Sequence, residues 1–515
     1  MLEYLKAGLT EMDTDYSVPF NRHAWTDCEE MAQLVETVFV SLPERTQQEL
    51  VGRSNNKGSM SVKDILRIIL SDLYSTYKRD PKLSTGFARK HTDWTVNDRY
   101  NGQGIPRKIV DVVDTLKKAR YLRYEPGKSK KAGDDVNKRS RIQPTKKLKD
   151  LFKKLELRGN DISHNHKQET ILLRDKDTDD DKSVNIKYDD TPATIRMRKV
   201  VAGYNEMMQR HYVDVASLRK PIYVREHTNE HGEVSKEAIP IGPEHMFTYR
   251  VFSRGDTRFR KHGRWYGGFW QRLPKKRMDL RRDIYIDGEA TDEIDFSGLH
   301  PTLLALEHGK LLKGDKYDLG GPVLDGLKMS EQRSIVKELV LIAINAKSKQ
   351  AAYSAYNNQN KDQRLTHAQL DHFLAAFIDK YPFLQGDLCS DKGIDLMYTD
   401  SQITEAVIQR FVEADKPILP VHDSYIVKQT DRQFLKLVMN DACNDVLNHT
   451  LPFESEFDEL EAHVLHAKHY KHTDYDYYEA VLSKHKPKVS KQYKIRYAQW
   501  LEETRYNNTT CTTNP

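Results

Sequence analysis

Two aspartates far apart in the chain share one local grammar. In "LPVHDSYIV", residues 419–427, an apolar run enters the pair His422-Asp423 and a second apolar run leaves it. In "TDEIDFSGLHPTLLALEHG", residues 291–309, a short alternating segment delivers Asp295, and a helical run begins near Pro301, a residue suited to a first turn. Asp-Ser is ordinary turn chemistry, so a tight turn alone explains the first stretch. Carboxylates at the ends of neighbouring strands would do more. They are the minimum equipment for holding two divalent cations close together, where they clamp the attacking and leaving oxygens of a phosphoryl transfer. Between the two stretches lies "RSIVKELVLIAINAKSK", in which Arg333 and Lys337 are four apart and share a helix face. Two such cations beside a metal pair suit a triphosphate, although an Arg/Lys pair by itself is ordinary helix surface.

The elements that must position these residues follow from periodicity. The segments around Asp295 and Asp423 read as short strands, and the segment carrying Arg333 and Lys337 reads as a helix. Upstream, "VKDILRIILSDLY" is helical in pattern, and Ile105, Ile109, Val112, Leu116 and Tyr121 continue a second helical stripe. "YLRYEPG" and "RSRIQPTKKL" then read as two strands around the basic loop "KSKKAGDDVNK". Helix, helix, basic hairpin resembles a winged helix-turn-helix, whose second helix would enter a groove and whose wing would contact phosphates.

Charge agrees with a polyanion partner. The 82 basic and 76 acidic residues nearly balance, but residues 117–157 carry 15 Lys+Arg against 5 Asp+Glu, and residues 251–282 carry 11 against 2. A solvated surface is the plainer explanation of the same bias. "RDKDTDDDKS" lacks the glycine and distal glutamate of a calcium loop and reads as solvated linker. No segment approaches the ~20 apolar residues of a membrane span. "MLEYLKAGLTEMD" lacks the pattern of a secretory signal, and four scattered cysteines fit a reducing compartment, so a cytoplasmic protein of a bacterial or phage-infected cell is expected.

In order and content, the central motifs resemble the polymerase core of the DNA polymerase I family and the related single-subunit phage RNA polymerases. "EIDFSGLHP" resembles motif A, with Asp295 as the first metal aspartate. "RSIVKELVLIAINA" is similar to motif B, with Arg333 and Lys337 in register, and "LPVHDSYIV" is similar to motif C, with Asp423 as the second metal aspartate and His422 beside it. "SQITEAVIQRF" resembles the helix before motif C, which implies that Gln402 faces the primer terminus. "GRWYGGFWQRLP" resembles the segment before motif A, which places Arg264 and Gln271 near the primer end. The resemblance covers residues 251–475. Asn345 and Ala346 stand where the family has an aromatic residue and glycine, and Ser424 stands where the DNA enzymes have glutamate. His300 falls where DNA polymerases keep a glutamate that obstructs the ribose 2′-hydroxyl. Sugar choice is therefore divided between His300 and Asn345, with a lean towards deoxynucleotides.

The resemblance implies an α+β fold: a right-hand palm with an antiparallel sheet, a helical thumb and compact fingers. Expected boundaries are a helical and winged-helix-like nucleic-acid-binding domain over 1–157, a linker and thumb-like helical region over 158–250, the palm and fingers over 251–475, and a tail over 476–515, frayed at its end. The implied activity is a template-directed nucleotidyltransferase, leaning to a DNA polymerase of a mobile or viral replicon. It would use two Mg²⁺ or Mn²⁺ ions, a DNA template and primer, and nucleoside triphosphates. An RNA polymerase or primase on the same palm, a non-catalytic replication initiator, and a nuclease or recombinase with Glu405 as third carboxylate are the rivals. His463, His466, His469 and His472 recur every three residues and read as a helix face sooner than a zinc site. Trp265, Phe269 and Trp270 suit base stacking and core equally.

Overall fold

The structure is a computed structural model. It describes residues 12–52, 60–94, 98–127, 139–155, 157, 161–165, 167–176, 183–228, 234–253, 259–275, 279–455 and 488–510. The chain builds two main hydrophobic cores, one drawn from Ala24 to Ile162 and one from Ile171 to Leu451. The first runs past residue 157 to Ile162. Histidines 463, 466, 469 and 472 and the loop 128–138 lie outside the described residues.

In the N-terminal unit the Val62–Arg79 helix starts where the Ser61 hydroxyl accepts the Asp64 N–H at 3.1 Å. It buries Ile65, Leu66, Ile68, Ile69 and Leu73. The expected second helix spans Lys108–Lys118, and the expected hairpin pairs Leu122–Glu125 with Ser140–Pro144. Strand Ser84–Phe87 joins the other side of Ser140–Pro144. The second helix gives Ile109, Val110, Val112, Val113 and Leu116 to the core. Its outer face carries Asp111 and Asp114, the latter held by Arg89 through two 2.8 Å hydrogen bonds. Exposed cations gather instead at the helix end, Lys117, Lys118 and Arg120, and at Lys146 on the next helix.

The second core surrounds an antiparallel sheet ordered Leu419–Val421, Ser424–Lys428, Glu289–Phe296, Ile284–Ile286, Val213–Val215, with Phe453–Ser455 also pairing to Glu289–Phe296. Period-2 alternation sends Ile294 and Phe296 into the core, each stabilising the sheet by ~1.5–3 kcal/mol, and turns Glu293 and Asp295 to the other face. The mixed α/β architecture with an antiparallel sheet agrees with expectation at that level. The region 158–250 is not mainly helical. It contributes one long helix, Pro192–Met208, but also the edge strand Val213–Val215, and strand Ile171–Lys176 pairs in parallel with Tyr249–Ser253. The boundary expected at 250 falls inside that last strand. The tail carries a helix over Lys491–Thr510, docked where Tyr493 is buried and Arg496 donates to Asp214 at 2.8 Å; of the end expected to fray, 502–510 continue this helix and 511–515 lie outside the described residues. Among the described residues no helix is long and apolar enough to cross a membrane.

Candidate catalytic site

Asp295 lies next to the end of its strand, opposite Ser424 on one side and Glu454 on the other. Asp423 occupies the two-residue tip between Leu419–Val421 and Ser424–Lys428. Its neighbour His422 sits at φ +59°, a left-handed conformation that costs a bulky residue free energy and is found preferentially at functional positions. The Phe296 N–H donates to the Asp423 carbonyl at 3.3 Å, which ties the two motifs together. Asp295 Oδ1 is buried without a hydrogen-bond partner. Burial, and then the adjacent Asp423 charge, lift the Asp295 carboxyl to about 7. A carboxylate whose ionisation is made costly by burial and by a neighbouring aspartate, and which keeps an idle buried oxygen, fits a divalent cation. Among the described residues no three His, Cys, Asp or Glu side chains converge as a ligand set, so the aspartate pair is what the chain offers.

Arg264, on strand His262–Tyr266, lies close enough to Asp423 for the two charges to interact. Its Nε donates to Asp400 Oδ2 at 2.7 Å, and its Nη2 donates to His300 Nε2 at 3.2 Å. An arginine cannot accept, so His300 must present Nε2 as acceptor and carry its proton on Nδ1. His300 lies in the first turn of helix Leu299–Glu307, and burial and then Arg264 lower its pKa to about 4. The turn before that helix needs glycine: Gly298 has φ +54°, and a Cβ there would sit 2.7 Å from the Lys316 chain. His422 packs edge-on to Tyr266, and burial and then Arg264 lower its pKa to about 4.

On the other side of Asp295 lies a cavity of about 210 Å³ lined by Asp295, Ser297, Lys316, Tyr317, Arg333, Lys337 and Glu454 among others. Helix Met329–Asn345 forms because Val336, Leu339, Val340, Ala343 and Ile344 make one apolar stripe, with Gln332 buried at its start, which leaves Arg333 and Lys337 on the outer face. Arg333 pairs with Asp315. Lys337 stands 5.9 Å above the Tyr317 ring and pairs with no carboxylate among the described residues. Lys316 Nζ donates to the Ser297 carbonyl at 2.6 Å. Around this polar hollow three cations, Lys316, Arg333 and Lys337, face three carboxylates, Asp295, Asp315 and Glu454.

The structure thus brings together Asp295, Asp423, His422, His300, Arg264, Arg333 and Lys337. It does not bring Asn345 to the cavity. That residue is exposed at the helix end, eight residues or ~12 Å beyond Lys337, and its amide donates to the Leu341 carbonyl at 2.7 Å. Gln271 donates to the Trp265 and Pro420 carbonyls at 3.0 and 2.9 Å, which spends its amide hydrogens on bracing the hairpin strand. Gln402 is half-buried on helix Gly393–Glu413, with no hydrogen bond among the described residues. Trp265, Phe269 and Trp270 are core, each at most 2% exposed. Glu405 pairs with the fully buried Arg250, so it is not available as the third carboxylate that a recombinase needs. Sequence reasoning missed Asp400, Lys316, Tyr317 and Glu454. Asp400 left a readable signal, an aspartate within the apolar stripe Leu396, Ile403, Val407 and Phe411 of its helix.

No protein-family model and no curated protein matches the chain. Among solved structures it is similar to the POL domain of Pol1 from M. smegmatis, in complex with DNA primer-template and dNTP, at 11% identity and a TM-score of 0.29. The match covers 84% of this chain and 66% of that one, just under two thirds of its length. A likeness that loose carries no argument about activity.

Proposed function

We propose that this chain is a template-directed nucleotidyltransferase that extends a nucleic-acid 3′ end, with deoxynucleoside triphosphates as the favoured substrates. The observation that carries the reading is the convergence of Asp295 and Asp423 from strands far apart in sequence, beside a hollow lined by Arg333, Lys337 and Lys316. Asp295 and Asp423 would hold the divalent cations, Mg²⁺ or Mn²⁺, which supply charge neutralisation and a more acidic 3′-hydroxyl when bound. Lys337, which pairs with no carboxylate among the described residues, would take the triphosphate first. Arg333 would exchange Asp315 for phosphate oxygens, a swap that favours a planar guanidinium. Arg264 would stand on the primer side, His300 beside it would face the sugar of the incoming nucleotide, and the exposed Lys117, Lys118, Arg120 and Lys146 of the winged-helix-like unit would hold template phosphates.

Incubation of the protein with primed template, Mg²⁺ and either dNTPs or NTPs tests this. Extension is expected, with a loss of at least ~10³ in rate for Asp295→Ala or Asp423→Ala and retained template binding. Near-normal extension by either variant would sink the assignment. Strand cutting without extension would favour the nuclease.

A further inference from the structure

We propose that Asp400 is a positioning residue, the counter-ion that lets Arg264 stand near Asp423 without pairing with it. The inference rests on the reading of Asp295 and Asp423 as cation ligands. Helix Gly393–Glu413 meets two arginines from one pair of adjacent strands: Asp400 takes Arg264, and Glu405 takes Arg250. The two ion pairs differ in what surrounds them. Arg250 is wholly enclosed, whereas Arg264 also touches His300 and interacts electrostatically with Asp423. Arg264 nevertheless pairs with Asp400 and with neither site aspartate.

The physical need is plain. A guanidinium is charged at every working pH and its side chain here is only 14% exposed, so it must find carboxylate or carbonyl oxygens. The Asp400 side chain, 1% exposed, provides a fixed oxygen at 2.7 Å from Nε. Without that charge, the positive field of Arg264 falls on Asp423, and the oxygens that a cation needs become the best remaining partners for the guanidinium. A buried Arg264 without its counter-ion would therefore compete with any divalent cation. Asp400 keeps a cation that the site uses for its wall from becoming an inhibitor of the site.

Mn²⁺ binding to the full-length protein, followed by electron paramagnetic resonance without nucleotide, tests this apart from turnover. Asp400→Asn, which keeps the shape and one acceptor oxygen, should weaken Mn²⁺ at least ~10-fold. Adding Arg264→Gln should restore affinity to within ~3-fold of the unmodified protein, because the uncompensated charge is gone. Glu405→Gln should leave Mn²⁺ affinity unchanged, although it disturbs an equally buried pair on the same helix. A folded Asp400→Asn protein that binds Mn²⁺ normally overturns the proposal, as does a double variant as weak as the single one. If Asp400→Asn does not fold, Arg264→Gln alone decides: equal or tighter Mn²⁺ binding supports the proposal and weaker binding overturns it. If the unmodified protein binds no Mn²⁺, or Asp295→Asn leaves binding intact, the cation-site reading itself fails and takes this inference with it.

Discussion

Replacing Asp295 by asparagine should stabilise the protein at alkaline pH while it removes the chemistry. Asp295 Oδ1 is buried and unpartnered, and the carboxyl is raised from its ordinary 3.8 to about 7, by burial first and by Asp423 second. The folded state therefore keeps a proton that the unfolded chain has already released. Between pH ~4 and ~7 the folded state binds more protons than the unfolded one, so its stability falls as pH rises through that window. The full shift corresponds to about 4 kcal/mol. At pH 8 the unmodified protein bears all of that penalty and Asp295→Asn bears none, so the variant should be more stable by up to ~4 kcal/mol, with the gap closing towards pH 4.5. Because the Asp423 charge is the second cause of the rise, Asp423→Asn should recover part of the same gain. Urea midpoints in EDTA, followed by fluorescence at pH 4.5 and pH 8, measure this. Mg²⁺ should narrow the gap at pH 8 by stabilising the unmodified protein alone. An asparagine variant no more stable at pH 8, or an offset of the same size at both pH values, would refute the electrostatic argument.

Other outcomes follow from named contacts. Glu405→Ala leaves the wholly buried Arg250 without its carboxylate and should cost ~3–5 kcal/mol, read as a lowered thermal midpoint; a change below ~1 kcal/mol would show that Arg250 finds another partner. His300 is held as a fixed wall by Arg264, so His300→Ala should raise NTP incorporation roughly 10-fold and leave dNTP use nearly intact; a selective loss of NTP use would instead make His300 a hydroxyl donor. Changing the exposed Lys117, Lys118 and Lys146 together to glutamine should reduce the log–log salt slope of template binding by up to ~3, and an unchanged slope would move the phosphate contacts elsewhere.

Local pattern carried much of this protein in the sequence alone. Period-2 alternation placed Asp295 on a strand face opposite Ile294 and Phe296, and two apolar runs around His422-Asp423 specified a hairpin with a two-residue tip. The apolar stripe of Met329–Asn345 put Arg333 and Lys337 outward together. These are properties of neighbouring residues, and periodicity reports them directly. Tertiary structure decided which side chains remain free. Gln271, Glu405 and Asn345 have the right chemistry for a site, yet one braces a strand, one neutralises a buried arginine, and one bonds its own helix end. Only the fold could bring Lys316 and Glu454 to the Asp295 cavity, because loop closure and strand pairing join residues with no local pattern in common. Asp400 stands between these cases. Its place in an apolar helical stripe marked it as buried, but its partner, 136 residues away, exists only in three dimensions.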